Sequence, residues 1–136
     1  MAYDVTVEKE INKSRAEVFN ALMDFGGVKA LLPDMVAKCD CTGNGVGAVR
    51  EIELADGGRV VERLDVAIND QVFAYSITEN DALPLTNYFA VVTLSDASNG
   101  TKVSWSSNWI PNGASSEEIV EMLQGLYGAL IDGIAA

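Results

Sequence analysis

Six consecutive segments in which apolar and polar residues alternate are the feature that most constrains the fold of this chain. Alternation with a period of two is typical of β-strands that bury one face. The linkers between the segments are too short for crossover helices, so antiparallel hairpins are the natural connection. The predicted strands span residues 35–41, 47–55, 59–68, 71–78, 87–95 and 101–110. A further strand over 5–11, with Val5, Val7 and Ile11 on one face, brings the predicted sheet to seven strands.

Helical patterns lie after the first strand and at the end of the chain. Ser14 and Glu17 form the S-x-x-E pattern of a capping box, which begins a helix over about residues 14–24. A glycine pair then breaks this helix, the segment VKALL allows one or two further turns, and Pro33 ends them.

The last helix follows a second capping box, formed by Ser115 and Glu118. Its apolar residues cover most of its circumference, so it must be buried along much of its length. They are Ile119, Met122, Leu123, Leu126, Tyr127, Leu130, Ile131 and Ile134. We therefore expect an α+β fold, in which a seven-stranded antiparallel sheet curls around the long C-terminal helix, with one or two short helices after strand 1.

Size and charge limit the classes of function. The 136 residues are enough for one core, and we expect a single domain over 1–136. A net charge of −11 repels phosphate backbones, so we expect no nucleic-acid partner. No apolar run approaches the length of a transmembrane helix and no leader pattern is visible, so we expect a cytoplasmic protein without membrane insertion.

Histidine is absent from the sequence, which excludes Ser-His-Asp, Cys-His and His-type zinc sites built from this chain alone. Cys39 and Cys41 lie at i, i+2 on a strand, a spacing that suits a disulfide poorly, so we expect free thiols. Neither a metal nor a cofactor is expected.

Glu62 occupies an apolar position of its strand. It shares the inward side with Val60, Leu64, Val66 and Ile68. An unpaired ionised carboxylate in such surroundings costs several kcal/mol, so it must be paired, hydrated or neutralised. If residues 56–58 form a three-residue turn, Ala55 pairs with Arg59, Ile52 pairs with Glu62, and Arg50 lies diagonal to Glu62 on the same face.

The aromatic residues add candidate polar groups. Tyr75 and Tyr88 fall on inward positions, beside Phe73, Ile77, Ala90 and Val92. They either fill the core or present hydroxyl groups to a small-molecule site. Parity also places Trp105 and Trp109 inside, although a β-bulge would reverse part of this.

The order of elements, together with the run VTVEKEINKSRAEVFNALMDFGGVKALLPDM, resembles the START-like (SRPBCC) helix-grip superfamily. This superfamily includes the birch-pollen-allergen (Bet v 1) fold and the bacterial polyketide cyclase/dehydrase-like proteins. The runs E-R-L-D and L-T-N-Y also resemble the plant abscisic acid receptors in order and spacing.

The resemblance implies a mostly apolar internal cavity closed by two loops. Residues 54–58 occupy the position of the receptors' gate loop and residues 80–87 that of their latch loop. Lys38 matches the lysine that binds the ligand carboxylate, while Glu62 and Tyr88 match polar pocket residues. The gate lacks the family's proline and the latch lacks its His-Arg pair, so hormone signalling through a phosphatase is not implied.

Two main hypotheses for function follow. The first is binding of a small hydrophobic or aromatic, lipid- or polyketide-like molecule that carries one polar or anionic group. The candidate ligand-binding residues are Lys38, Arg50, Ile52, Leu54, Glu62, Leu64, Phe73, Tyr75, Tyr88, Trp105, Leu123 and Tyr127. The second is a cyclase, dehydrase or isomerase that uses Glu62 as acid or base, with Tyr75 or Tyr88 as hydrogen-bond donor.

Two simpler readings stay open at this point. Glu62 and Arg50 could form a purely structural ion pair. The outer sheet or the gate could instead serve protein interaction or a chaperone-cofactor role. We expect a monomer or a weak homodimer.

Overall fold

A computed structural model describes residues 3–136. All neighbouring strands pair antiparallel in one seven-stranded sheet of order β1-β7-β6-β5-β4-β3-β2. In chain order the elements are β1 (Val5–Ile11), α1 (Arg15–Met23), a 3₁₀ turn (Phe25–Gly27), α2 (Val28–Leu31), β2 (Val36–Thr42), β3 (Val49–Leu54), β4 (Arg59–Ile68), β5 (Val72–Asn80), β6 (Leu85–Ala97), β7 (Gly100–Pro111) and α3 (Ser116–Ala135). The predicted fold class and element order are confirmed.

Both predicted capping boxes form. Ser14 Oγ accepts a hydrogen bond from the Glu17 amide at 3.1 Å, and Ser115 Oγ accepts one from the Glu118 amide at 3.2 Å. In each box the glutamate side chain accepts a hydrogen bond from the backbone amide of the cap residue. These bonds satisfy amide groups that a helix start would otherwise leave without partners.

The long helix α3 packs on the inner side of the sheet, against β1, β7 and α2. Its residues Ile119, Leu123, Tyr127 and Ile131 are fully buried. At its C-terminal end the backbone of α2 approaches closely, because a Cβ atom on Gly133 would lie 2.7 Å from the Leu31 carbonyl oxygen. No helix in the described range 3–136 combines the length and apolar character needed to cross a bilayer.

The second half of β4 departs from the predicted alternation. Val66 and Ile68, predicted to face inward with Glu62, are 36% and 49% exposed. Leu64 pairs with Tyr75 while Val66 pairs with Ala74, which leaves Asp65 unpaired as a β-bulge. A bulge adds one residue and reverses the facing of those that follow. The prediction for Val66 and Ile68 is therefore wrong, whereas Val60, Glu62 and Leu64 are buried as expected.

The turn between β3 and β4 is displaced by one residue from its predicted position. The three-residue loop is Ala55–Gly57, and the Leu54 amide donates to the Gly58 carbonyl at 2.8 Å. Gly57 ends this loop with a φ of 93°, the left-handed conformation that a three-residue hairpin loop needs at that point.

The displaced turn shifts the register by two residues, so the faces are kept but the partners change. Ile52 pairs with Val60 rather than with Glu62. Arg50 is directly opposite Glu62 instead of diagonal to it. The other inward expectations hold: Tyr75, Tyr88, Trp105 and Trp109 are buried. Cys39 and Cys41 are free thiols.

Candidate functional site

A cavity of about 70 Å³ lies between the inner face of the sheet, the α2 segment and α3. Twelve of the sixteen residues around it are apolar, and the other four are Arg50, Glu62, Tyr75 and Tyr88. The apolar lining residues are Val28, Leu32, Met35, Val36, Ile52, Leu54, Val60, Ile77, Leu83, Leu123, Leu126 and Leu130. An apolar wall with a few convergent polar groups is typical of small-molecule sites.

A second, outer space of about 290 Å³, which we call the mouth, adjoins the cavity. Both spaces are lined by Met35, Leu54, Leu83 and Leu126, so these four side chains stand between the inner cavity and the mouth. Sites for drug-sized ligands hold roughly 300–1,000 Å³, so a ligand of that size must extend past these side chains into the mouth.

The two predicted closing loops border the mouth. Leu54, Ala55 and Asp56 line it from the gate (residues 54–58), and Leu83 lines it from the latch (residues 80–87). Gly58 of the gate lies against the latch, because a Cβ atom there would be 2.6 Å from Ala82 Cβ.

The side chain of Asn80 organises the latch. Its Oδ1 accepts hydrogen bonds from the Ala82 and Leu83 amides, both at 2.8 Å. Its Nδ2 donates to the Leu83 carbonyl at 2.9 Å and to the Leu85 carbonyl at 3.2 Å. One side chain therefore supplies four bonds to the loop between β5 and β6 and to the first residue of β6.

Arg50 and Glu62 form a buried ion pair on adjacent strands, each residue being 8% exposed. Arg50 Nε donates to Glu62 Oε1 at 2.8 Å, and Arg50 Nη2 lies 2.7 Å from the same oxygen. Both contacts converge on Oε1, which leaves Oε2 outside the pairing. No other residue within 3–136 donates a hydrogen bond to this carboxylate.

The Arg50 guanidinium is fixed by its other contacts. Its Nη1 donates to the Phe25 carbonyl oxygen at 3.1 Å, so all three guanidinium nitrogens have partners. The Arg50 Cζ atom lies 3.9 Å from the ring centroid of Phe25 and 5.3 Å from that of Tyr75. Such cation–π contacts stabilise a desolvated guanidinium.

A chain of buried hydroxyl groups runs from the cavity wall into the core. Trp105 Nε1 donates to Tyr75 OH at 3.2 Å, and Tyr75 OH lies 3.3 Å from Tyr88 OH. Tyr88 OH bonds to Tyr127 OH, which donates to Ser107 Oγ at 2.7 Å.

The direction of donation along these hydroxyl groups follows from counting protons, since each tyrosine hydroxyl carries one proton. Tyr127 donates its proton to Ser107, so Tyr88 must donate to Tyr127, and Tyr75 must donate to Tyr88. Each of these three tyrosine protons is therefore already donated to a neighbouring hydroxyl group.

The three tyrosines remain neutral at physiological pH. Burial raises the pKa of Tyr75, of Tyr88 and of Tyr127 above the ordinary tyrosine value. The negative charge of Glu62 raises the pKa of Tyr75 further. None of them is a source of phenolate in the folded protein.

Seven of the predicted site residues line the cavity: Arg50, Ile52, Leu54, Glu62, Tyr75, Tyr88 and Leu123. Four others, Leu64, Phe73, Trp105 and Tyr127, are buried in the core behind it. They fill space around the site without bordering the cavity.

Lys38 does not reach the cavity. Its side chain is 66% exposed and its Nζ lies 3.4 Å from Asp40 Oδ2. Cys39 lies opposite Ile52 and packs on the core, so Lys38 next to it points outward. The carboxylate-binding role that the resemblance implied for Lys38 is thus corrected by its position.

Several lining residues were missed. Leu126 and Leu130 follow Leu123 at helical spacing, which could have identified them. Val60 shares the inward side of Glu62 and could have been found in the same way. Val28, Leu32, Met35, Val36, Ile77 and Leu83 were also missed. For the α2 segment no pattern indicates that it faces a cavity rather than the core.

In the part of the chain that the structure describes, no three Cys, Asp or Glu side chains come together as metal ligands would. The chemistry available at the cavity is thus one carboxylate paired with one guanidinium, a directed chain of hydroxyls and a large apolar surface.

Solved structures share this architecture. The protein XoxI of Bacillus cereus has a TM-score of 0.83 at 26% identity, and the match covers 99% of this chain and 94% of that one. An uncharacterised protein of Bacillus thuringiensis has a TM-score of 0.81 at 27% identity, covering 96% and 95%.

A plant enzyme of this fold is also similar. Norcoclaurine synthase of Thalictrum flavum, solved with dopamine and hydroxybenzaldehyde, has a TM-score of 0.76 at 19% identity, covering 96% of this chain and 83% of that one. At that identity the similarity shows the fold alone, which is the START-like helix-grip fold.

Among curated proteins, none matches this sequence. The family model described as "Polyketide cyclase / dehydrase and lipid transport" matches residues 2–136. The match spans nearly the whole chain, and together with the helix-grip fold it shows that this chain belongs to the polyketide cyclase/dehydrase and lipid transport family, within the START-like superfamily.

Proposed function

We propose that residues 1–136 act as one ligand-binding domain that takes up a small hydrophobic or aromatic, lipid- or polyketide-like molecule. The observation that carries this proposal is the apolar cavity, which has one buried ion pair at its wall and a mouth between the gate and the latch. Transfer of apolar surface from water would supply most of the affinity, at about 25 cal/mol per Å² buried.

The polar groups would orient the ligand rather than hold it. Arg50, Glu62 and Tyr88 border the cavity, and the contacts of Arg50 with Phe25 and Glu62 fix its position. Groups that are held in place before binding lose little entropy on binding. This favours recognition of one end of the ligand at the ion pair and a loosely specified apolar end toward the mouth.

The test is ligand binding with the mouth open and blocked. We expect native mass spectrometry of the purified protein to show a co-purified apolar compound, or members of a hydrophobic library to raise the melting temperature. Ala55→Trp, on the exposed gate, should abolish the effect by filling the mouth. Ser98→Trp, in the exposed turn between β6 and β7, is the matched control and should leave it intact.

Equal binding by wild type and Ala55→Trp would contradict entry at this mouth. Failure of every library member to shift the melting temperature, with nothing co-purified, would contradict the proposed function.

The enzymatic alternative has weaker support. A cyclase, dehydrase or isomerase would need Tyr75 or Tyr88 to donate a proton to a developing oxyanion, yet both protons are already donated within the hydroxyl chain. Turnover of a candidate substrate that is lost in Glu62→Gln, with ligand affinity within about tenfold of wild type, would favour it over binding alone. The cytoplasmic location, the oligomeric state and a protein-interaction role stay predictions from the sequence.

A further inference from the structure

We infer that the cavity selects a neutral ligand whose polar end is a hydrogen-bond donor, a hydroxyl or an amide N–H, and that Glu62 receives it. This inference rests on the proposed function and names the chemical class of its ligand. It replaces the expectation of an anionic ligand, for which Lys38 was the candidate partner.

The Glu62 carboxylate has one oxygen that no protein group in the described range contacts as a donor. Both contacts from Arg50 meet Glu62 Oε1, at 2.8 and 2.7 Å, and Oε2 has no donor among residues 3–136. Glu62 borders the cavity, so its second oxygen is an acceptor that a bound molecule can reach. A hydrogen bond to a charged acceptor is stronger than one between neutral groups.

The charges that line the cavity already balance. Arg50 is the only cation that lines the inner cavity in the described range, and it is compensated by Glu62. A carboxylate ligand would place a third charge beside this pair, giving a net negative charge in an apolar site. An ammonium ligand would give a net positive charge. Either arrangement leaves one buried charge without a partner, whereas a neutral donor does not.

The protein offers few free donors to a bound molecule. Three of the five guanidinium N–H groups of Arg50 are directed at Glu62 and the Phe25 carbonyl, and each of the three tyrosine protons is donated within the row of hydroxyl groups. A ligand that offers only acceptors finds no free proton on these three tyrosines and is limited to the two remaining guanidinium N–H groups. A ligand that offers a hydrogen-bond donor can instead bond to the free oxygen of the Glu62 carboxylate.

The test compares four molecules that share a 4-propylphenyl group and differ in the polar end: 4-propylphenol, 4-propylbenzamide, 4-propylanisole and 4-propylbenzoate. Propylbenzene is the apolar reference. Dissociation constants are measured by isothermal titration calorimetry at pH 7. We expect the phenol and the amide to bind at least tenfold more tightly than the ether and the carboxylate, which corresponds to about 1.4 kcal/mol.

A carboxylate that binds as tightly as the amide, or an ether that matches the phenol, would overturn the inference while leaving the proposed function standing. If none of the five compounds binds, propylbenzene included, the inference is overturned, and the proposed function fails as well when the hydrophobic library gives no shift and nothing co-purifies.

Glu62→Gln tests the charge argument directly. Removal of the carboxylate charge leaves Arg50 as an uncompensated cation, so the preference should invert and 4-propylbenzoate should gain at least tenfold relative to the phenol. Glu53→Gln, an exposed carboxylate on the same hairpin, is the control and should leave the preference unchanged. Folding of both variants is checked by circular dichroism. An unfolded Glu62→Gln leaves the amide-to-carboxylate comparison in wild type as the deciding measurement.

Discussion

Arg50 and Glu62 face each other across adjacent strands, and two guanidinium nitrogens of Arg50 contact one carboxylate oxygen of Glu62 at 2.7–2.8 Å. The pair lies among leucine, valine and isoleucine side chains, and one oxygen of the carboxylate remains outside it. Removal of one partner of such a pair leaves the other charge buried without compensation.

Arg50→Ala should lower the free energy of unfolding by about 3–5 kcal/mol, because it leaves the Glu62 carboxylate buried without its partner. The double variant Arg50→Met with Glu62→Leu removes both charges and should recover most of that loss. Urea unfolding measures both. Arg59→Ala, which removes exposed pairs with Glu51 and Glu79, is the control and should change stability by less than about 1 kcal/mol. A double variant as unstable as the single one would show that the pair contributes more than charge compensation.

The buried tyrosines predict a pH dependence. Their pKa values are raised in the folded state, so the folded protein holds these protons more tightly than the unfolded chain. Their contribution is therefore fully present below pH 10, the ordinary tyrosine value, and is lost as the pH rises above it. Each such tyrosine should lower stability by about 1.4 kcal/mol per pH unit above that point.

The measurement is urea unfolding between pH 9 and pH 11 for wild type and Tyr88→Phe. Between pH 9 and pH 11 the variant should lose about 1.4 kcal/mol less stability in total than wild type, because one buried tyrosine that titrates in the unfolded chain is removed. Identical slopes would contradict the assignment of Tyr88 as a neutral buried group. At pH 7 the variant should also be less stable by about 1–3 kcal/mol, since Tyr75 loses its acceptor.

Two of the three glycines of α3, Gly125 and Gly133, should respond oppositely to the same substitution. Gly125→Ala meets no atom within 4 Å and should stabilise the helix by up to about 1 kcal/mol. Gly133→Ala would place its Cβ 2.7 Å from the Leu31 carbonyl oxygen, so α2 must move away from α3. Thermal unfolding should rank Gly125→Ala above wild type and Gly133→Ala below it. Stabilisation by both substitutions would show that α2 can move away from α3 without loss of stability.

Much of the fold could be predicted because period-two alternation and short linkers leave antiparallel hairpins as the simple solution. The bulge at Asp65 could not, because a bulge is set by the pairing of two strands and leaves no mark in the sequence of one. The position of the gate turn was predicted one residue too late, because Gly57 and Gly58 are adjacent and either could occupy the left-handed position.

The charged residues of the site could be predicted from the sequence. Glu62 stood out as a charge in an apolar row, and Arg50 followed from the neighbouring strand. The α2 side of the cavity could not be predicted, since it is formed by elements distant in the chain. Lys38 rested on the resemblance alone, and its outward position follows from the facing of Cys39 on β2.

Asn80 should control how fast ligands exchange. Asn80→Ala removes four hydrogen bonds within the latch, so the amides of Ala82 and Leu83 should exchange with deuterium faster and the ligand dissociation rate should rise. Asn99→Ala, in the exposed turn at the other end of β6, is the control. Unchanged exchange in Asn80→Ala would show that packing, rather than this side chain, holds the latch.

The most direct measurement is a methyl NMR titration with 4-propylphenol, which reports where the ligand sits. Leucine methyl groups of the cavity, on Leu54, Leu83, Leu123 and Leu126, should shift and show contacts to the ligand. Leu22 and Leu94, buried elsewhere in the core, should not change. Contacts confined to the exposed outer residues Val66 and Phe89, with the cavity methyls unmoved, would contradict the account.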